Sequence, residues 1–403
     1  MTSIHTRPAY FVAMLTLAAF SALLAFEPAS SAPIVRTWTG NGADANWTTA
    51  ANWDAGAPVE GDILIFPAIA NRKTNTNNFP NFTEFEQIAV EGAGYTLSGN
   101  RAAVATSFIH NPGAGINRVE FIIDGDANLL QQSGRLELMA ANSHAGDTIV
   151  SAGELYVGHA LALGEFSSTL DIYGGAAIIA APGEYYQDLD IGGASAGVVA
   201  IANAEWWGTV TFYGQVGFDI QQNTTLEVVT SIGGGGEVTK FGGGTLALSA
   251  DNTFAGVLDI FHGTVRVNRG MALGDASDGT IVREGGILEL YDATYLADEP
   301  ITLQGTIHSE AHINHIDNLV VSGDAEIMVT EGILRLSNGL DQSGNGFTLF
   351  KTGPGTLDIH GESGSFAGQI DLDAGELAVR GTVLAHVRIQ GGTLSGDGSI
   401  GDV

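Results

Sequence analysis

Along most of the chain, aliphatic residues recur two positions apart behind a glycine. The pattern occurs at Gly134-Arg-Leu136-Glu-Leu138, Gly153-Glu-Leu155-Tyr-Val157, Gly244-Thr-Leu246-Ala-Leu248 and Gly263-Thr-Val265-Arg-Val267. It returns at Gly286-Ile-Leu288-Glu-Leu290, Gly332-Ile-Leu334-Arg-Leu336, Gly355-Thr-Leu357-Asp-Ile359 and Gly375-Glu-Leu377-Ala-Val379. A ninth copy starts at Gly392-Thr-Leu394, but Gly396 takes its second aliphatic position. Residues two apart share one face of a β-strand, and the leading glycine permits a corner. From Gly244 onward the leading glycines step by 17 to 23 residues except for one gap of 46, between Gly286 and Gly332. That gap is twice the step from Gly263 to Gly286, which places a degenerate copy near position 309, within 306–316.

A lone strand of this kind cannot bury its aliphatic face. Stacking a copy every ~20 residues gives each face a neighbour about 4.8 Å away and makes a continuous core. A propeller blade needs four strands in ~40–50 residues, so the finer spacing predicts one coil per repeat. No sustained helical periodicity occurs beyond the N-terminal segment. The expected fold class is therefore all-β, a single-stranded parallel β-helix (solenoid). About 370 residues at ~22 per coil give roughly 17 coils and about 80 Å of rod.

The first residues break this pattern. Arg7 is followed by an uncharged apolar run from Phe11 to Phe26, then by Ala29-Ser30-Ser31-Ala32. This is the layout of a signal peptide, expected to span residues 1–31 with cleavage after Ser31. The run is short for a membrane helix, and no second stretch reaches the ~18 apolar residues one needs, so no transmembrane segment is expected after cleavage. Residues 32–115, rich in aromatics, are expected to form an N-terminal cap and the first coils, and residues 116–403 the repeat domain.

Composition narrows the partners. With 15 basic and 45 acidic residues the net charge is −30, which repels nucleic-acid phosphate and anionic lipid. Cysteine is absent, which excludes disulfides, thiolate catalysis and Cys-ligated zinc. Hydrophobic residues make up 44%, enough to bury a core.

A longer block also repeats. Residues 240–267 read Lys240-x-Gly242-x-Gly244-Thr245-Leu246-x-Leu248, Asn252-Thr253-Phe254-x-Gly256 and Gly263-Thr264-Val265-x-Val267. Residues 351–379 repeat this as Lys351-x-Gly353-x-Gly355-Thr356-Leu357-x-Ile359, Phe366-x-Gly368 and Gly375-x-Leu377-x-Val379. Residues 134–157 form a third copy without the lysine, and Ala160-Leu-Ala-Leu-Gly164 is echoed by Gly270-Met-Ala-Leu-Gly274. These blocks resemble the autotransporter-associated β-strand repeat of bacterial passenger domains. The resemblance implies a right-handed β-helix exported to the extracellular space or outer surface of a Gram-negative-type bacterium. It implies a scaffold, with an adhesive role toward an extracellular glycan or surface protein, and no catalytic residues. Autotransporters end in an outer-membrane barrel of ~12 amphipathic strands. This chain reaches Val403 in what reads as mid-coil, so a barrel is expected to be supplied downstream or by another chain.

Three features are candidates for chemistry. In an extended strand His308, Glu310 and His312 of His308-x-Glu310-x-His312 share one face, and imidazole with carboxylate suits zinc or another transition metal. The plainer account is an outward polar face over an inward aliphatic one. Trp206 and Trp207 could stack against sugar rings; the plainer account makes one of them core and the other a cover for an adjacent coil. Asp124/Asp126, Asp188/Asp190 and Asp371/Asp373 are two-apart oxygen pairs of the sort calcium uses, or simply a solvated acidic surface. Pectin lyases and polygalacturonases share the β-helix, so a carbohydrate-cleaving or carbohydrate-binding protein is the alternative reading. The adjacent aspartates and Gly-His-Gly step of the polygalacturonase type do not occur. Arg266, Arg283, Arg335 and Arg388, the candidates for a lyase base, have no motif around them. The sequence is read as non-enzymatic, with no cofactor.

Overall fold

The alternation of aliphatic and polar residues produces short strands, and each pairs in parallel with strands of the neighbouring coils. The computed structural model describes residues 32–402 apart from 194, 292–293, 311, 345 and 364; the expected signal peptide lies outside the described residues. Among these, one 3-10 turn, Ala50–Asn52, is the only helical element. No helix of the described residues is long and apolar enough to cross a membrane. The strands stack as a parallel β-solenoid of about 16 turns.

One sheet runs from Val35–Thr37 through Ile63–Phe66, Thr83–Val90, Ala102–His110 and onward to Ile232–Gly235, each strand parallel to the last. The glycine-led strands form the second series. Leu136 is in register with Leu155 and Leu155 with Ala177; Leu246 with Val265, and Val265 with Leu288. Further along, Leu334 pairs with Leu357 and Leu357 with Leu377. All of these are buried. At about 25 cal/mol per Å² of apolar surface, such columns supply the main driving force for coil stacking.

The segment 306–316 holds the degenerate copy, with an internal shift. Thr306–Glu310 stacks on the Gly286-led strand, Ile307 against Leu288 and Ser309 against Leu290. The Gly332-led strand instead stacks on the start of Ile313–Val321, with Ile316 against Leu336. Ser309 and Asn314 take inward positions where aliphatics would stand. Both are fully buried, and Asn314 Nδ2 donates to Ser309 Oγ at 2.8 Å.

Six of the nine leading glycines, Gly134, Gly153, Gly263, Gly332, Gly375 and Gly392, turn left-handed corners. Gly263 has φ +76° and Gly375 +74°, and a Cβ on Gly375 would collide with the carbonyl oxygens of Gly353 and Gly355 in the coil before. Positive φ and this close approach leave room for glycine alone.

Buried polar side chains close the same corners. Lys240 Nζ donates to the carbonyls of Phe241, Gly242 and, one coil on, His262 at 2.6, 2.8 and 3.1 Å. Lys351 repeats this on Thr352, Gly353 and Ala374 at 2.8, 3.0 and 3.1 Å. In the copy without lysine, Gln131 Nε2 does the same work on Ser133, Gly134 and Ala152 at 3.0, 2.9 and 3.3 Å. Its Oε1 accepts from His110, whose other ring nitrogen accepts from Asn117. Asn252 accepts from Ile232 N and donates to Ala272 O, and Asn142 links Ile123 N to Ala162 O in the same way. Ala162 and Ala272 are the central alanines of the Leu-Ala-Leu-Gly and Met-Ala-Leu-Gly echoes, so that echo is a hydrogen-bond acceptor site.

The aromatic N-terminal run packs inward. Trp38, Trp47, Trp53 and Phe66 are buried, with Trp38 edge-on to Trp53 at 5.1 Å and Trp47 at 5.4 Å from Phe66. Each indole N–H finds an acceptor: Arg72 O, Asn75 Oδ1 and Trp47 O respectively.

Candidate functional site

The tryptophan pair splits between core and surface because successive strand residues face opposite ways. Gly183–Tyr185 lies parallel to Ala204–Trp206 with Tyr185 opposite Trp206. Both rings are buried and stacked, centroids 5.3 Å apart and 7° from parallel. Trp206 Nε1 donates to Gln187 O at 2.9 Å, and Tyr185 Oη to Ala181 O at 2.7 Å. Trp206 is thus core and unavailable to a ligand.

Trp207, the next residue, is 42% exposed and stacks on Tyr186 of the preceding coil, 6.4 Å apart and 24° from parallel. Tyr186 packs in turn on Phe166 at 5.0 Å, itself 58% exposed. Three coils therefore present a continuous strip of exposed rings, Phe166, Tyr186 and Trp207. Phe166 and Tyr186 escaped the sequence reading. The signal was there: Tyr185-Tyr186 precedes Trp206-Trp207 by a single coil, with Tyr185 and Trp206 in register.

Carboxylates line the strip. Glu184, Glu205 and Glu227 occupy one register column on successive coils. Tyr186 Oη donates to Glu184, and Trp207 Nε1 donates to Glu205 Oε2 at 3.2 Å. The hydrogen bond to Glu184 holds the Tyr186 hydroxyl above its ordinary pKa. A surface cavity of about 360 Å³ borders Glu184, Asn203, Glu205 and Glu227. A second, of about 450 Å³, borders Leu161, Glu165 and Phe166 at the other end of the strip. Flat apolar rings beside carboxylate acceptors suit a ligand with apolar faces and hydroxyl or amine edges.

The histidine-rich segment is rearranged. Thr306–Glu310 ends before His312, which adopts φ +48°. Ile313 is in register with Ile333, so His312 holds the corner position that Gly332 fills in the next coil. His312 is not among the donor atoms that come together with those of His308 and Glu310. Glu289 of the preceding coil joins those two residues instead, in register with His308. One donor atom each of Glu289, His308 and Glu310 lie within 4.8 Å of one another.

The arginines considered for lyase chemistry are each tied to a carboxylate on another coil. Arg266 Nε meets Glu289 at 2.6 Å, Arg283 meets Asp259 at 2.8 Å, Arg335 meets Asp358 at 3.1 Å, and Arg388 pairs with Asp371. Burial alone would raise Asp358, but hydrogen bonds from His360 and Arg335 hold its pKa below the usual value. Asp371 behaves alike, with Arg388 and Gln369 outweighing its burial. A guanidinium held this way stabilises charge and is a poor proton acceptor. Among the aspartate pairs, Asp124 bonds Arg101 at 3.0 Å, and Asp190 stands in register with Asp171. Burial, Asp147 and Asp190 push Asp171 above its ordinary pKa.

Comparison with known proteins agrees with this picture. The passenger-associated-transport-repeat model matches residues 131–157, 238–267 and 349–379. These are the three blocks with a Gln131, Lys240 or Lys351 corner. The Adhesin BmaC autotransporter of Brucella suis biovar 1 (strain 1330) is 27% identical over 161 residues, a match covering 40% of this chain and 4% of that adhesin. No solved structure matches the chain. With three copies of the transport repeat set in a parallel solenoid, the chain is similar to the passenger repeats of autotransporters.

Proposed function

We propose that this chain is a stretch of a surface-displayed adhesin, exported by a Gram-negative bacterium and carried by an outer-membrane barrel encoded downstream or in another chain. Its ligand is an extracellular glycan, held on the strip Phe166, Tyr186 and Trp207. The observation that carries this reading is the strip itself: three exposed rings in contact on three successive coils, with Glu184 and Glu205 bonded to the polar tips of Tyr186 and Trp207. Exposed ring surface takes the C–H faces of sugars, and the second oxygen of each carboxylate can accept from their hydroxyls. A protein partner bound through apolar contact alone would gain little from those carboxylates. The acidic surface argues against nucleic acid, and the name of the Brucella relative supports adhesion.

Binding of the purified chain to a glycan array tests this. Trp207→Ala and Tyr186→Ala should each weaken the bound glycan by about tenfold, the equivalent of ~1.4 kcal/mol for one lost ring contact. Binding unchanged in both variants, or no saturable glycan binding at all, would overturn the proposal.

A further inference from the structure

We infer that Glu289, His308 and Glu310 form a binding site for a divalent transition metal, with zinc the ion their donors suit best. The three side chains point outward from two adjacent coils: Glu289 and His308 are register partners, and Glu310 lies two residues beyond His308 on the same strand. The imidazole faces both carboxylates without being hydrogen-bonded to either. His308 Nδ1 is 3.6 Å from Glu289 Oε1, and His308 Nε2 is 3.6 Å from Glu310 Oε1. A hydrogen bond would close to about 2.7–3.2 Å. Ligands bound at ~2.0–2.2 Å around tetrahedral zinc sit roughly 3.3–3.5 Å from one another. The two contacts use different ring nitrogens; a single nitrogen and one oxygen of each carboxylate lie within 4.8 Å of one another, a span that side-chain rotation closes onto one ion.

The surroundings support the ion. Glu289 is 6% exposed, and Arg266 Nε donates to its Oε2 at 2.6 Å, which fixes the carboxylate with Oε1 toward His308. Ligating carboxylates are commonly held this way by an outer partner. Two glutamates against one arginine leave a local charge of about −1, which a dication offsets. Thr330 Oγ1 is hydrogen-bonded to His308 Nε2 at 3.4 Å and so helps to orient the ring. Two oxygens and one imidazole suit zinc better than calcium, which takes 6–8 oxygens. The ion would clip the Thr280–Tyr291 strand to Thr306–Glu310, where the inward column is weakened by Ser309.

Isothermal titration of the chelator-treated chain with zinc chloride tests this, with folding checked by circular dichroism. We expect one zinc bound per chain, with affinity at least tenfold weaker in His308→Gln and in Glu289→Gln. His312→Gly, which preserves the corner, should bind as the parent does. No binding by the parent chain, equal binding by His308→Gln, or loss in His312→Gly would each overturn the inference. Faster amide exchange of 306–310 on zinc removal, seen in the parent and missing in His308→Gln, is the second expected readout; identical exchange with and without zinc would also overturn it.

Discussion

Replacing Lys240 by methionine isolates what the buried corner contributes. The two side chains have similar length and volume, so packing is kept while three N–H donors are lost. The carbonyls of Phe241, Gly242 and His262, at 2.6–3.1 Å from Nζ, lose that partner. A hydrogen bond from a charged group contributes about 1.5–3 kcal/mol, and these three share one ammonium whose desolvation opposes them. A net loss of about 2–4 kcal/mol follows. In a solenoid, stability is roughly a sum over coils and their interfaces, so the loss should be local. Native-state hydrogen exchange is the suitable assay, and amides of 238–267 should exchange roughly 30- to 700-fold faster at 1.4 kcal/mol per decade. Lys351→Met should do the same to 349–379. The pH dependence adds a second arm. Burial pushes Lys240 down to about 8, against its ordinary 10.5. The unfolded chain then binds more protons between pH 8 and 10.5, so parent stability should rise across that window while the methionine variant stays flat. Unchanged protection at pH 7 in both variants would refute the reasoning. A difference that shrinks above pH 8 would show the carbonyls holding the proton more firmly than burial expels it, and would refute the pH arm.

Two further buried groups predict opposite pH limbs. Burial raises Glu299 to about 7 from 4.5, with Thr280 Oγ1 donating to it at 2.7 Å; its stabilisation is complete below pH 4.5 and lost as pH rises through 7, so Glu299→Gln should stabilise the chain by about 2–3 kcal/mol at pH 8, read by chemical denaturation. His144, pushed by burial down to about 4 from 6.5, works the other way: stability is complete above pH 6.5 and falls toward pH 4. His144→Gln should remove part of that acid limb in a pH titration of unfolding, the rest belonging to His110, which burial also lowers to about 4, and to His315, which burial lowers too; an unaltered limb would refute the assignment.

The solenoid was legible because its inward positions repeat. A period of two behind a glycine, returning once per coil, leaves few alternatives once each coil must cover the next. The degenerate copy was legible by arithmetic alone, but not the shift inside it, because that shift depends on His312 taking a left-handed corner that glycine usually fills. The same corner explains why the expected His308, Glu310 and His312 face lost His312: alternation holds only while the backbone stays extended. Glu289 could not be named from its neighbours in sequence, since it reaches the site by register from the preceding coil. Gln131 was invisible as a stand-in for lysine because it reaches the carbonyls one residue later along its corner.

The repeat matches and the surface features divide the chain between them. The three matched blocks leave 158–237 and 268–348 unmatched, and there lie the aromatic strip and the Glu289, His308 and Glu310 cluster. An inward side chain is constrained by the coils above and below, whereas its outward neighbour answers only to solvent and ligand. Coils that carry function can therefore change one set while keeping the other, and Trp206 and Trp207 put that separation to the test on adjacent residues. Trp206 is 1% exposed and stacked on Tyr185; Trp206→Ala should cost about 3–5 kcal/mol. Trp207→Ala, which removes a ring 42% exposed, should stay within about 1 kcal/mol. Local hydrogen exchange across 183–206 separates the two. Equal destabilisation would mean that the outer rings help hold the coils together, and the strip would then be part of the scaffold rather than a surface free to specialise.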